Sequence, residues 1–486
     1  MLERLRKEGR LEAGATCLNH VFCHKWHSRV WTLQEVAFSR DCYILCGKEE
    51  MKWQTYVSVA KFFIYEEFLD EVDSKAWKNY LGIEIRNDLR NSIFSLSEIG
   101  EEGKTMTLLT SGLTQVRHLQ ATNPKDKIYG LYATFSALGI ALPVPDYEKS
   151  LVKIYEEACR AIIFVSKSLK MLEYACSNAR SSDLPSWVPD WQDENTTLFT
   201  LPSDATEGSQ ISQTTLSALF PAKGKLRVRG HVIGEILDRS ENDFSTLEFP
   251  SGSLPILKEN HYDLVGKETD SLRLLVHRVR TLREWMRLLD GLAVPPYLDD
   301  EDSGNYFHKL VTFDSDSVNA PVFNAWVDIL QYPSTNYNLD RGEELANSWK
   351  NADRIYANDW TAEFFQCAVI AATLASQSAT IAGQTTPEMA ELMDMTAHIS
   401  GNMGSRALIL VHDTLLNSTV PGAAFHMVRA NDRIVLLEGA ETPIALRKRD
   451  DQWLFAGTAY LTGVMDGEAW PDEENSTRDL QEFILH

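Results

Sequence analysis

Cysteine is scarce in this chain: 7 in 486 residues, an odd number. That excludes a disulfide-stapled scaffold and fits a reducing compartment. Positive charge is short as well. Lys and Arg number 47 against 69 Asp and Glu, a formal net charge of −22. Such a balance argues against binding nucleic acid by phosphate neutralisation and against docking on an anionic membrane surface. No long apolar run is present. The opening MLERLRKEGRLEAGAT has no apolar core of a secretory signal. The most apolar stretch, FFQCAVIAATLASQSATIAG, is broken by Gln366, Gln377 and serines, so it reads as a buried helix and not a membrane span. The expected location is cytoplasmic or nucleocytoplasmic, and the Asn-x-Ser/Thr triplets at Asn195, Asn417 and Asn475 then carry no glycosylation argument. The sequence also lacks Gly-x-Ser-x-Gly, His-Glu-x-x-His, Gly-x-x-x-x-Gly-Lys and Gly-x-Gly-x-x-Gly, the common catalytic and phosphate-cradling signatures, and any repeat of fixed period.

What is present is ordinary for a globular protein: 44% hydrophobic and 24% charged residues. The length allows two or three domains. Acidic runs such as EEFLDEVD, LDDEDSG and PDEEN read as solvated faces. Helical period places Val30, Leu33 and Ala37 on one stripe and recurs over Trp53 to Leu69 and Ser150 to Val165. CYILCG alternates as a short strand. Asn123-Pro124-Lys125-Asp126 has the capping residue, proline and acid of a helix start. LPSWVPDW reads as a rigid extended segment aiming Trp187 and Trp191 into a groove. Composition shifts at 193–222 to Ser, Thr, Asp and Pro, the pattern of a linker or long loop. KLRVRGHVIGEIL then reads as a strand, Asp270 to Leu292 and Trp360 to Ala382 as helices. ALILVHD, AFHMVRA, RIVLLEG, PIALRKR and WLFAGTAYLTG read as five short strands of an antiparallel sheet or partial barrel.

Two constellations could carry chemistry. Cys17, His20, Cys23, His24 and His27 resemble a zinc cluster in composition. No second ligand pair follows, however, and positions 17, 20, 24 and 27 share helical spacing, so the expectation is no metal. Arg29-x-Trp31-x-x-Gln34-Glu35 is more specific, because a helix sets the indole, amide and carboxylate on one face. Glu35 is the one candidate for a catalytic or ligand-binding carboxylate. The competing reading anchors Trp31 in a core and lets the polar groups satisfy backbone or each other. The residues favour that second reading, since buried polar constellations are more often structural.

SRVWTLQEVAFSRDCYILCG, NPKDKIYGLYA, DYEKSLVKIYEEACRAI, LPSWVPDW and VMDGEAW occur in this order. Together they resemble the fungal heterokaryon-incompatibility (HET) domain family. The matching positions are Arg29, Trp31, Gln34 and Glu35 in the first; Pro124, Asp126, Lys127 and Tyr129 in the second; Asp146, Tyr147 and Tyr155 in the third. Pro185, Trp187, Pro189, Asp190 and Trp191 follow in the fourth, and Asp466, Gly467 and Glu468 in the fifth. Family members open with a Ser-Tyr-x-Trp-Gly-like strand and a Trp-Ile-Asp-x-x-Cys-Ile-Asn-Gln-like stretch, and neither occurs here. The resemblance therefore implies a HET domain truncated at its front.

The expected fold is α+β and predominantly helical. Residues 1–50 are the remnant of a TIR-like α/β HET domain, 51–192 a helical accessory region, 193–222 the linker, and 223–486 a helical region ending in a small antiparallel β-unit. The function implied is fungal non-self recognition and regulated cell death, through a protein partner or self-association, with no cofactor and no nucleic acid; a small-molecule ligand stays open. An apolar surface is expected to lie bare around residues 15 to 50. The alternatives are a TIR-like NAD-consuming or nucleotide-binding enzyme using Glu35, and a metalloprotein.

Overall fold

The structure is a computed structural model. It describes residues 24–65, 116–137, 141–177, 181–193, 203–241, 405–414, 417–471 and 480–486, parts of 82–93 and 281–289, and positions 21, 201, 310 and 403. The chain divides into two compact units. The first holds Met1–Thr196, Gln210–Arg227 and Ile484–His486; the second holds Thr197–Ser209 and Val228–Phe483. The helices expected over Asp270 to Leu292 and Trp360 to Ala382 lie largely or wholly outside the described residues.

In the first unit, α1 (Thr32–Ala37) is followed by the hairpin strands β1 (Tyr43–Cys46) and β2 (Glu49–Lys52), then α2 (Trp53–Tyr65). β1 and β2 pair antiparallel from Tyr43↔Lys52 to Cys46↔Glu49. Two residues turn the chain, and Gly47 takes the left-handed backbone (φ 64°) that such a loop needs. Trp53, Tyr56, Val57 and Ala60 recur at helical spacing along α2 and bury against Val36 and Ile83. The helices α3 (Asp126–Tyr129) and α4 (Tyr132–Ala137) are single turns. α5 (Leu151–Ser166) is long and its ends are legible. Ser150 accepts from the Lys153 amide at 3.3 Å as N-cap, and Lys167 closes the helix in the left-handed region (φ 52°) with its amide on Ile163 O. Ile154, Tyr155, Ala158, Cys159, Ile162 and Ile163 form its buried face, and Val165 near its end is exposed. α6 (Gln213–Ala218) is capped by Ser212.

The second unit is built on a seven-stranded sheet in the order β4-β5-β8-β7-β6-β3-β9. The strands are β3 (Leu226–Arg239), β4 (Arg406–Asp413), β5 (Ser418–Phe425), β6 (Arg433–Leu437), β7 (Ile444–Arg449), β8 (Gln452–Leu461) and β9 (Gln481–Leu485). β3 pairs antiparallel with β6 through its first half and with β4 through its second. Because β4 is also the far end of the order, the sheet closes on itself. The result is a small antiparallel barrel, with bulges in β3 and β8 that let it bend. Buried positions from strand after strand fill it: Ile233, Ile236, Ile409, Val411, Ile434, Leu436, Ala445 and Leu461 belong to one buried cluster. A Cβ on Gly234 would strike the His412 carbonyl, so only glycine lets β3 and β4 approach there.

The barrel overturns the predominantly helical reading. Among the described residues 30% are helical and 28% are strand. Closure comes from β3, which lies far from the C-terminal strand cluster in sequence and pairs with β4, and β9 adds a further strand beside β3. The sheet nearest α1 in sequence is the two-stranded antiparallel β1–β2 hairpin.

Candidate functional site

Four of the five family-like motifs meet in the first unit. The first reaches the second through two side chains. Trp31 Nε1 donates to Asp126 Oδ2 (3.4 Å), and Gln34 Nε2 donates to the carbonyls of Tyr129 (3.4 Å) and Gly130. Val30 lies directly against Gly130, where any Cβ would meet its methyl groups. The second motif reaches the third twice over. Tyr147 donates its hydroxyl to Asp126 Oδ1 at 2.6 Å, and the Tyr129 hydroxyl both donates to Asp146 O (2.8 Å) and accepts from Asp146 N (2.9 Å). The two phenol rings cross edge to face, 5.1 Å between centroids. Tyr155 on α5 donates to Pro124 O (3.1 Å) and sets its ring edge-on to Trp191, 4.9 Å away.

The fourth motif folds as turns, not as an extended rod: Val188 N donates to Pro185 O at 2.9 Å. Asp190 Oδ2 accepts from the Ser181 amide and its Oδ1 from the Gln192 amide. Trp187 and Trp191 are fully buried, and Trp187 Nε1 donates to Gly224 O (3.1 Å). Ser186 bonds the carbonyl of His486 through both its amide (2.9 Å) and its hydroxyl. Pro185 lies where a Cβ on Gly224 would touch it. Asp466, Gly467 and Glu468 belong to the second unit. There the Glu468 carboxylate accepts from the Asp466 amide (2.9 Å), and Gly467 sits at φ 94° against Glu207.

Buried cations hold this arrangement, and the sequence offered little hint of two of them. Lys127 Nζ donates to the carbonyls of Val116 (3.1 Å), Arg117 (3.0 Å) and Leu119. Arg86 is fully buried and donates to Thr32 Oγ1, Gly82 O (2.6 Å), His27 O (2.8 Å) and Arg29 O (3.3 Å). Burial lowers its pKa to about 10, with Tyr56 and Glu35 pulling the other way. Arg117 donates to the carbonyls of Tyr174 and Cys176, and burial likewise lowers its pKa. The family-like Arg29 takes part through its backbone, as Arg29 pairs with Gln120 in a parallel bridge. A cation hidden among carbonyls is satisfied by hydrogen bonds rather than by a carboxylate. Gly82-x-x-x-Arg86 at helical spacing is the one signal that could have marked Arg86.

Glu35 is exposed and accepts from Trp26 Nε1 at 3.1 Å, while Arg86 lies over the Trp26 ring at 5.6 Å. The carboxylate thus steadies an indole at the surface of α1. Behind it His27 is buried, with Nε2 at 3.0 Å from the Tyr56 hydroxyl and the two rings stacked. Burial first, then Arg86 and His24, lower the His27 pKa to about 3, so it is neutral at physiological pH. The Tyr147 phenol is pushed up to about 12, chiefly by its bond to Asp126. A cleft lined by Tyr129, Leu142, Pro143, Ile154 and neighbours has room for about one water, far less than a nucleotide needs.

Cys17, His20 and Cys23 lie outside the described residues, and among the described residues no three metal-ligating side chains converge. No described helix is long and apolar enough to cross a membrane. The region expected to be bare carries exposed Trp31, Phe38, Tyr43 and Leu45.

No family model matches the chain, and no solved structure resembles it at a significant level. The chain is 21% identical over 497 aligned residues, 95% of its length, to heterokaryon incompatibility protein 6, OR allele, of Neurospora crassa. It spans 66% of that protein's length.

Proposed function

We propose that this chain is a HET-like protein of fungal heterokaryon incompatibility, and that it acts by protein interaction in non-self recognition and the cell death that follows. The observation that carries the reading is similarity over nearly the whole chain to a protein named for heterokaryon incompatibility. The order and interlocking of the motif residues support it: Trp31, Gln34, Asp126, Tyr129, Asp146 and Tyr147 are joined by hydrogen bonds within one unit. Such a constellation positions a surface. Its acceptors and donors are largely consumed internally, and Glu35 is occupied by Trp26. Interaction therefore fits these residues better than turnover.

The test is genetic. The gene is introduced into one of two otherwise identical strains of a filamentous fungus, and viable heterokaryons are counted alongside vital-dye staining of fusion cells. The expected result is fewer viable heterokaryons and stained fusion compartments with the intact chain, and recovery with Trp187→Ala, which removes the buried anchor of the fourth motif. Equal recovery with the intact chain, the variant and an empty vector overturns the proposal. Nicotinamide release from NAD by the purified chain, abolished by Glu35→Gln, would overturn the interaction reading in favour of an enzyme.

A further inference from the structure

The β1–β2 hairpin is a two-stranded sheet, and such a sheet is marginal unless further strands or a packed face support it. Its two outer edges differ. β2 is guarded by Glu49, Glu50 and Lys52, the charges that commonly keep an edge from pairing. β1 and its flanks, Cys42 to Gly47, carry no charge at all. On β1, Leu45 is 73% exposed and Tyr43 45% exposed, large apolar groups on one face of an unguarded strand.

The phase of the hairpin fixes which backbone groups face outward. Trp53 N donates to Cys42 O at 2.9 Å, one step beyond the Tyr43↔Lys52 pair. In an antiparallel ladder each residue points its N–H and C=O to the same side, alternating along the strand. Cys42, Ile44 and Cys46 therefore turn their backbone toward β2, while Tyr43 and Leu45 turn theirs outward. The free edge offers two donors and two acceptors, two residues apart.

Two identical antiparallel strands related by a twofold axis must set one residue opposite its own copy. Centring on Tyr43 places Leu45 against Asp41 of the other chain, and centring on Leu45 places Tyr43 against Gly47. Centring on Ile44 places Tyr43 opposite Leu45 and Leu45 opposite Tyr43. Those are the two residues whose backbone groups are free, so they exchange hydrogen bonds while their side chains cover each other. The same register sets Cys42 opposite Cys46 as a non-hydrogen-bonded pair. Both thiols are free, and the Cα separation of such a pair, about 4.5 Å, falls within the span a disulfide bridges.

We propose that β1 is a homotypic docking edge that receives β1 of a second copy in antiparallel register about Ile44, making a four-stranded sheet across a twofold axis. The occupant is this same strand, because its pattern is complementary to itself and the neighbouring edge is closed by charge. The inference goes beyond the interaction role proposed above. A dimer that leaves heterokaryon recovery unchanged fails that role and not this one.

Sedimentation of the full chain under reducing conditions reads the association. The expected result is a concentration-dependent dimer whose dissociation constant rises at least about tenfold in Leu45→Lys and in Tyr43→Lys, each placing an ammonium on the edge. Circular dichroism checks that both variants keep the parent secondary structure. Register is read by oxidation with diamide in a chain carrying serine at Cys17, Cys23 and Cys367. Two thiols lose two protons and two electrons as one S–S bond forms, and the N=N bond of diamide is reduced to a hydrazine. Cys42→Ser alone and Cys46→Ser alone should give no covalent dimer, whereas their mixture should. A chain that stays monomeric at the highest attainable concentration overturns the proposal. So does a dimer indifferent to both lysine variants, or cross-linking as strong in either cysteine variant alone as in the mixture.

Discussion

The motif network of the first unit and the barrel of the second solve one problem by different means. The helices α1, α3 and α4 have 6, 4 and 6 residues, too short to persist by their own hydrogen bonds. Side chains tie them down instead: Gln34, Lys127, Arg86 and the hydroxyls of Tyr129 and Tyr155 donate to backbone carbonyls 8 to 96 positions away in sequence. The barrel needs few such ties. Its backbone groups pair strand to strand, its interior is aliphatic, and a notable buried charge, Asp432, accepts two bonds from Arg447 at 2.7 and 2.9 Å. Where regular ladders are long, apolar packing suffices. Where elements are single turns, polar side chains must supply the missing partners, and of these Gln34, Lys127, Tyr129 and Tyr155 belong to the family-like motifs.

Four measurements would break or sharpen that contrast. Lys127→Met should cost the first unit about 4 kcal/mol, because the buried carbonyls of Arg117 and Leu119 lose the ammonium donor and Val116 O keeps only the Leu119 amide. Hydrogen exchange of peptides across α5 should show it as lost protection, and protection equal to the parent would mean that the carbonyls have other donors. Leu436→Ala in the barrel should cost about 3 kcal/mol by the ordinary cavity penalty, read from exchange of β6 and β7. A much smaller loss would mean the barrel interior is loosely filled.

Acid should act on the first unit through His27. Its folded pKa of about 3 lies below the ordinary 6.5. Between those values the unfolded chain takes up a proton that the folded chain refuses. Stability is thus fully present well above pH 6.5 and falls as the pH drops, by about 1.6 kcal/mol from pH 6.5 to 5. Denaturant titrations of the parent and of His27→Gln should show the slope in the parent and a flatter line in the variant. Tyr147→Phe should have the smallest effect, about 1 kcal/mol or less, since the bond to Asp126 is largely in solvent. A larger loss would make the exposed rim of the network as important as its buried cations.

Much of the local structure was written in local pattern. The 16 residues of α5 were legible from periodicity. β3, β4, β6, β7 and β8 were legible from alternation bounded by turn residues. β5 was placed too late, at AFHMVRA, because its actual residues, STVPGAAF, include Pro421 and Gly422 and lack bulky alternation. Barrel closure was not legible, since pairing of β3 with β4 joins residues roughly 170 positions apart and no short window carries it. Gln34 and Asp126 announced themselves by type and spacing, whereas Trp31, expected as a core anchor, is exposed and bonds Asp126 instead. Arg86 and Arg117 did not, because a lone arginine in a helical pattern looks like a solvated face until its carbonyl partners are known.

The bond from Ser186 to His486 sets a schedule for biosynthesis. Its two halves are 300 positions apart. At a translation rate of about 5–20 residues per second, the LPSWVPDW corner emerges from the ribosome roughly 15 to 60 s before the residue that completes it. For that interval the nascent chain carries two tryptophans with one of their retaining contacts unmade. This corner is where a cellular chaperone would find its longest opportunity to bind.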